Sequence, residues 1–260
     1  MEELKHDFLP EHLLPELKSA GFDGTIAVQA RMTLDETRWL LKLADQNPFI
    51  KGVVGWVDLC SREADFFLRE LSEHQKFVGV RHVVHDEPDD SFMARPEFQR
   101  GISQLEKYNL TYDLLIFPKH LPLARELVEK FPEQKFVLDH IAKPDIRKQE
   151  IMPWSDDIKK LARFPNVYCK LSGMVTEADW ENWEPEDFSS YLDIVFECFG
   201  PERLMFGSDW PVLTVAASYA WVVRLISDYL ESYTPMDREK VFGINCSEFY
   251  LSRKPITKQV

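Results

Sequence analysis

Cysteine is scarce. Cys60, Cys169, Cys198 and Cys246 are widely separated and form no C-x-x-C pair, so the simplest reading is four reduced thiols in a cytoplasmic protein. Positive charge is in deficit: 31 Lys and Arg stand against 44 Asp and Glu, a net charge of −13, so a phosphate backbone is repelled and nucleic acid is excluded as a partner. No uninterrupted apolar run approaches the roughly 18 residues of a membrane span. The opening Met1, Glu2, Glu3, Leu4, Lys5, His6 and Asp7 are too polar and acidic for a secretory leader. Neither G-x-G-x-x-G nor G-x-x-x-x-G-K-[ST] occurs, so nothing points to a nucleotide or flavin. There is no low-complexity tract, long linker or sustained charge block.

What is present is an alternation. Over 260 residues, 45% hydrophobic and 29% charged, short apolar runs are followed by a turn and then by a stretch of helical period. Strands are expected at 24–30, 51–58, 77–84, 110–117, 135–140, 167–172 and 203–207. They are near-continuously apolar, as strands covered on both faces of a parallel sheet must be. Helices are expected at 35–46, 61–73 (with Ser61 as N-cap), 96–108, 122–131, 154–164, 185–199, 215–232 and 236–250. The fold class is α/β, a single domain over 1–260. An eightfold (β/α) barrel of about 250 residues fits the length better than an open sheet. Only seven strands are visible, and the chain opens on a helical segment, 10–20, stopped by Gly21. The expectation is a (β/α)8 barrel lacking its first strand, with Met1 read as an internal methionine or a trimmed start. The strand at 24–30 and the last strand then keep unpaired edges, which a homo-oligomeric partner could cover.

In such a barrel, chemistry sits at the carboxyl ends of the strands. Polar residues closing an apolar run are therefore the candidates: Gln29; Trp56 and Asp58; Arg81 and His82, followed by His85, Asp86 and Glu87; Asp139, His140 and Lys143; Lys170 and Ser172; Asp209 and Trp210. A charge on an apolar strand is costly to bury unless it is paired or used. Together these supply a cation for a carbonyl or anionic substrate (Arg81), imidazoles for metal binding or proton transfer (His82, His140) and a carboxylate base (Asp209). Blander roles stand beside these. Asp209 could cap the next loop, Arg81 could pair with Asp86 or Glu87, and Asp139 and Asp58 read as structural. His6, His12, His74 and His120 read as solvated, and Trp39, Trp180, Trp183 and Trp221 as packing residues.

Taken in order, the segments DFLPE (7–11), VQAR (28–31), GWVD (55–58), GVRH (79–82), DHIAKP (139–144), KLSG (170–173) and GSDWP (207–211) resemble amidohydrolase family 2, in particular its sugar-lactonase-like TIM-barrel hydrolases. The resemblance implies hydrolysis of a small lactone, such as a fucono-, rhamnono- or galactono-lactone. Asp209 would activate water, His140 would bind metal or assist proton transfer, and Gln29, Trp56, Arg81, His82, Lys143 and Trp210 would face the substrate. It also implies a divalent cofactor, zinc or manganese, on His140 and Asp209. The family's usual first strand ends His-x-His, and no such triplet occurs here; three protein ligands plus water are usual for catalytic zinc. Two alternatives remain open: an amidohydrolase-type decarboxylase of a small carboxylic acid, whose carboxylate Arg81 could accept, and a non-catalytic chain.

Overall fold

The computed structural model describes residues 2–252. Seven strands form one sheet: β1 (Thr25–Val28), β2 (Ile50–Gly55), β3 (Phe77–Val83), β4 (Thr111–Leu115), β5 (Phe136–Leu138), β6 (Val167–Leu171) and β7 (Leu204–Phe206). Each pairs in parallel with the next, in the order β1 to β7. Crossover helices follow from that pairing. They are α2 (Leu34–Gln46), α3 (Ala64–Ser72), α4 (Pro96–Leu105), α5 (Leu121–Lys130), α6 (Trp154–Leu161) and α7 (Glu186–Phe199), with α1 (Pro10–Ser19) ahead of β1 and α8 (Tyr219–Tyr229) and α9 (Pro235–Glu239) after β7. All seven expected strands are found, somewhat shorter than the apolar runs that announced them.

The sheet curls but does not close. Among the described residues β1 and β7 share no backbone ladder. The two edges instead converge through side chains. Phe22, just before β1, stacks on Phe206 of β7 with ring centroids 5.4 Å apart, and Phe242 packs against both. The expected unpaired edges are therefore present, with aromatic rings between them.

Two layers of core hold the sheet. The larger lies between strands and helices; the smaller gathers Val54, Val78, Val137 and Met205 from four strands with Phe249 and Tyr250. Those two aromatics come from the C-terminal segment, where one helix was expected over 236–250. The observed segment is α9 followed by π-helical turns at Lys240–Ile244 and Ser247–Leu251. Wider turns suit a segment that must press large side chains into the sheet. Asn245 anchors it by donating to the carbonyls of Pro201 and Leu204, each at 2.7 Å.

Local chemistry explains several element starts. Thr33, Ser218 and Thr234 cap α2, α8 and α9 by accepting from backbone N–H groups three residues on. Ser61 does not cap α3: its hydroxyl accepts from Glu63 in the preceding turn, and the helix begins at Ala64. Some side chains also lie where the sequence did not place them. His120 is buried rather than solvated, held in a turn where its Nδ1 accepts from the Phe117 backbone at 3.1 Å. Trp39, Trp180 and Trp221 are partly exposed. No helix is long and apolar enough to cross a membrane among the described residues.

Candidate active site

Four cationic and anionic side chains line up across the inner face of the sheet. Lys170 on β6 places its ammonium 2.6 Å from Asp113 Oδ2 on β4 and 2.7 Å from Asp139 Oδ1 after β5. Asp139 Oδ2 in turn accepts from Arg81 Nη1 on β3 at 2.8 Å. Arg81 Nη2 donates to the Gln29 carbonyl, and Gln29 Nε2 returns a bond to the Arg81 carbonyl at 3.1 Å. At the other end Tyr250 donates its hydroxyl to Asp113 Oδ2 at 2.8 Å. Two cations balance two carboxylates. Burial alone would raise the Asp139 carboxyl, but Lys170 and then Arg81 outweigh it and hold it below the usual range. Burial raises Asp113, with Lys170 opposing, and Lys170 is raised because its two carboxylates outweigh its burial. Arg81 therefore pairs with Asp139, not with Asp86 or Glu87 as its sequence neighbours suggested.

Strand alternation sends His82 the other way. It stacks on Phe92 at 4.5 Å, and both ring nitrogens are engaged: Nδ1 accepts from Trp56 Nε1 at 3.2 Å, and Nε2 meets Glu87 Oε1 at 2.7 Å. This corrects the expectation that His82 faces the substrate: it points at the helix layer and braces Trp56. Thr37 of α2 fixes the same tryptophan's backbone at both N–H and C=O. That close approach requires a glycine, because a Cβ at Gly55 would meet Thr37 Cγ2 at 2.4 Å.

His140 and Asp209 come together at the carboxyl ends of β5 and β7, with His140 Nε2 3.8 Å from Asp209 Oδ1 and only 11% and 16% of the side chains exposed. His140 opens a run of four residues, through Ile141, Ala142 and Lys143, with φ between 47° and 62°; Asp209 is also left-handed at φ 58°. Left-handed backbone costs an L-residue roughly 1–2 kcal/mol each, and such strain concentrates at functional sites. Here it turns the imidazole back across the strand end toward β6. Trp154 Nε1 holds the turn from beneath, donating to the Ile141 carbonyl at 2.7 Å. His140 Nδ1 lies 2.8 Å from Ser172 Oγ. Burial lowers the pKa of His140, Asp209 opposing, so the ring is neutral near pH 7. A proton on Nε2, facing the carboxylate, leaves Nδ1 to accept from the Ser172 hydroxyl.

Around this pair, Trp210 meets Phe8 edge-on at 5.3 Å. Lys143 is ion-paired to Glu177, which the sequence reading did not single out. Both line a cleft of about 470 Å³ with Phe117, Arg147, Thr176 and Trp180. His85, one of the candidates after β3, lies with its ring 4.8 Å from Phe117, and burial holds its pKa down to about 4. Ser172 was among the strand-end candidates, with Gly173 beside it in the same KLSG motif; Glu177 was not singled out.

The donor set for a metal is incomplete. Among the described residues no group of three His, Cys, Asp or Glu side chains is placed to hold an ion. His140 and Asp209 give two ligands where catalytic zinc usually takes three, so no chemical step is routed through a metal here.

A curled parallel barrel sheet with an imidazole and a carboxylate meeting at its strand ends defines a hydrolase of the amidohydrolase type. The chain belongs to the amidohydrolase family, whose model matches residues 4–251. It is 35% identical to a protein of Burkholderia ambifaria named L-fucono-1,5-lactonase, over 98% of this chain and 89% of that one. It is also similar to the crystal structure of an amidohydrolase from Burkholderia multivorans with bound zinc: TM-score 0.92, 36% identity, covering 96% of this chain and 90% of that one. A divalent metal is thus found within the family. A 2,6-dihydroxybenzoate decarboxylase shares the fold alone, at 14% identity and TM-score 0.65, covering 95% of this chain and 90% of that one.

Proposed function

We propose that this chain hydrolyses a small sugar-acid lactone, of the fucono-, rhamnono- or galactono-lactone class, at the carboxyl-end mouth of the sheet. The observation that carries the reading is the His140 imidazole 3.8 Å from the Asp209 carboxylate, both largely buried. Asp209 takes a proton from water as its oxygen attacks the lactone carbonyl. When the tetrahedral intermediate collapses, the acyl–oxygen bond breaks and that proton passes to the departing ring oxygen. The products are an aldonate and one proton. His140 Nε2–H donates to the developing oxyanion. Arg81, fixed by Asp139 and Gln29, holds positive charge beneath the site, and Trp56, Lys143 and Trp210 border the substrate. The small-molecule substrate is the partner this reading requires; self-association through the open edges and a cytoplasmic location are consistent with it.

The name of the Burkholderia ambifaria relative, L-fucono-1,5-lactonase, supports this substrate class. The test is titration at constant pH with L-fuconolactone and D-galactonolactone, alongside carbon dioxide detection with small carboxylic acids. One proton per lactone opened, with no carbon dioxide, is expected. Carbon dioxide without lactone opening would replace this reading with decarboxylation.

A further inference from the structure

Among the described residues, the cations that act on His140 are each paired with a carboxylate. Lys143 and Arg81 are the positive groups that act on His140. Arg81 is bound to Asp139, Lys170 to Asp113 and Asp139, and Lys143 to Glu177. Of these carboxylates Glu177 lies farthest along the chain from a strand, in a turn six residues past the end of β6, whereas Asp113 is on β4 and Asp139 directly follows β5. Its position is preset. It ends a 3-10 turn, Val175–Glu177, in which Thr176 donates to the Gly173 carbonyl at 2.9 Å and accepts from Trp180 Nε1 at 2.9 Å. Glu177 also lies within the field of Asp209. Farther out in the same cleft, Arg147 shares its walls with Asp145 and Glu150.

We infer that Glu177 is a specificity-determining residue: by occupying Lys143 it restricts the site to uncharged polyhydroxy lactones and rejects lactones that bear a second carboxylate. This rests on the lactonase reading and deepens it. A carboxylated lactone entering between His140 and the cleft meets Asp209 and Glu177, with the Lys143 ammonium already taken. Placing like charges together in a partly desolvated site is unfavourable. A neutral lactone needs only hydrogen bonds, and the Lys143–Glu177 pair offers both donors and acceptors. Replacing Glu177 by an uncharged side chain releases the ammonium to pair with a substrate carboxylate.

The matched substrates are galactono-1,4-lactone and galactaro-1,4-lactone, which differ by a carboxylate in place of a hydroxymethyl group. In the wild-type chain kcat/KM should favour the neutral lactone by about 100-fold or more. Glu177→Gln should shrink that preference at least tenfold, chiefly by lowering KM for the carboxylated substrate. Adding Lys143→Met should remove the gain. Glu150→Gln, which deletes a charge from the same cleft away from Lys143, should leave the preference within twofold. A second readout does not require turnover. By titration calorimetry, galactarate should bind at least tenfold more tightly to Glu177→Gln than to wild type, and galactitol should bind the two alike. Equal handling of both lactones by wild type, an unchanged preference in Glu177→Gln, or an equal effect of Glu150→Gln would overturn the inference. If neither lactone is opened, the lactonase reading fails, and the galactarate comparison alone decides the role of Glu177.

Discussion

At the residue scale the site depends on what lies behind His140. A Cβ at Gly173 would stand 2.8 Å from His140 Cγ and Nδ1, and this glycine has φ 61°. Gly173→Ala should therefore push the imidazole from Asp209 while adding backbone strain. Activity should fall about 10- to 100-fold, and stability by about 1–3 kcal/mol, measured by lactone kinetics and urea unfolding. Unchanged kinetics would show that the imidazole does not need this seat. Protonation gives a second residue-scale expectation. Burial depresses His82, His85, His120 and His140 in the folded chain. Below the unfolded histidine value of about 6.5 the unfolded chain binds protons that the folded one resists, so the unfolded state is favoured. Above that value this contribution to stability is whole; it is lost as pH falls through the window, which for His85 ends at about 4. Unfolding free energy should drop between pH 7 and pH 5, and His85→Gln should flatten the slope. A flat profile in wild type would contradict the burial of these rings.

At the scale of elements the buried charges join β3, β4, β5, β6 and the C-terminal segment through one chain of contacts, Arg81, Asp139, Lys170, Asp113 and Tyr250. Removing Lys170 strands two buried carboxylates. Lys170→Met should cost about 3–5 kcal/mol, whereas Tyr250→Phe should cost about 1.5–3 kcal/mol, both read from urea midpoints. Additive losses in the double variant would show the two contacts to be independent; coupling beyond about 0.5 kcal/mol is expected, since both side chains meet the same Asp113 oxygen. This network marks where sequence reasoning stopped. Strand periodicity located all seven strands and the strand-end rule picked out His140 and Asp209, because apolar runs and their polar stops are local signals. Lys170 and Asp139 could be seen as costly charges, but their partners lie 57 and 58 residues away along the chain. For Arg81 only the nearby acids Asp86 and Glu87 could be weighed as partners, for the same reason. His82 was misdirected because adjacent strand residues face opposite layers, and the motif contains both. Glu177 left no trace, since a loop acid acquires meaning only when Lys143 is folded against it.

At the scale of the whole molecule, strain and charge are concentrated at one end of the sheet. The consecutive left-handed residues after β5 and the left-handed Asp209 after β7 both sit at the carboxyl ends of their strands, while the C-terminal aromatics fill the core. The central claim is that the carboxylate after β7 acts as the base for lactone opening. The most direct test compares kcat/KM for L-fuconolactone between wild type and Asp209→Asn, with circular dichroism establishing that both are folded. A loss of about 10²- to 10⁴-fold, the usual worth of a general base, is the expected result. Turnover by a folded Asp209→Asn chain at the wild-type rate would contradict it.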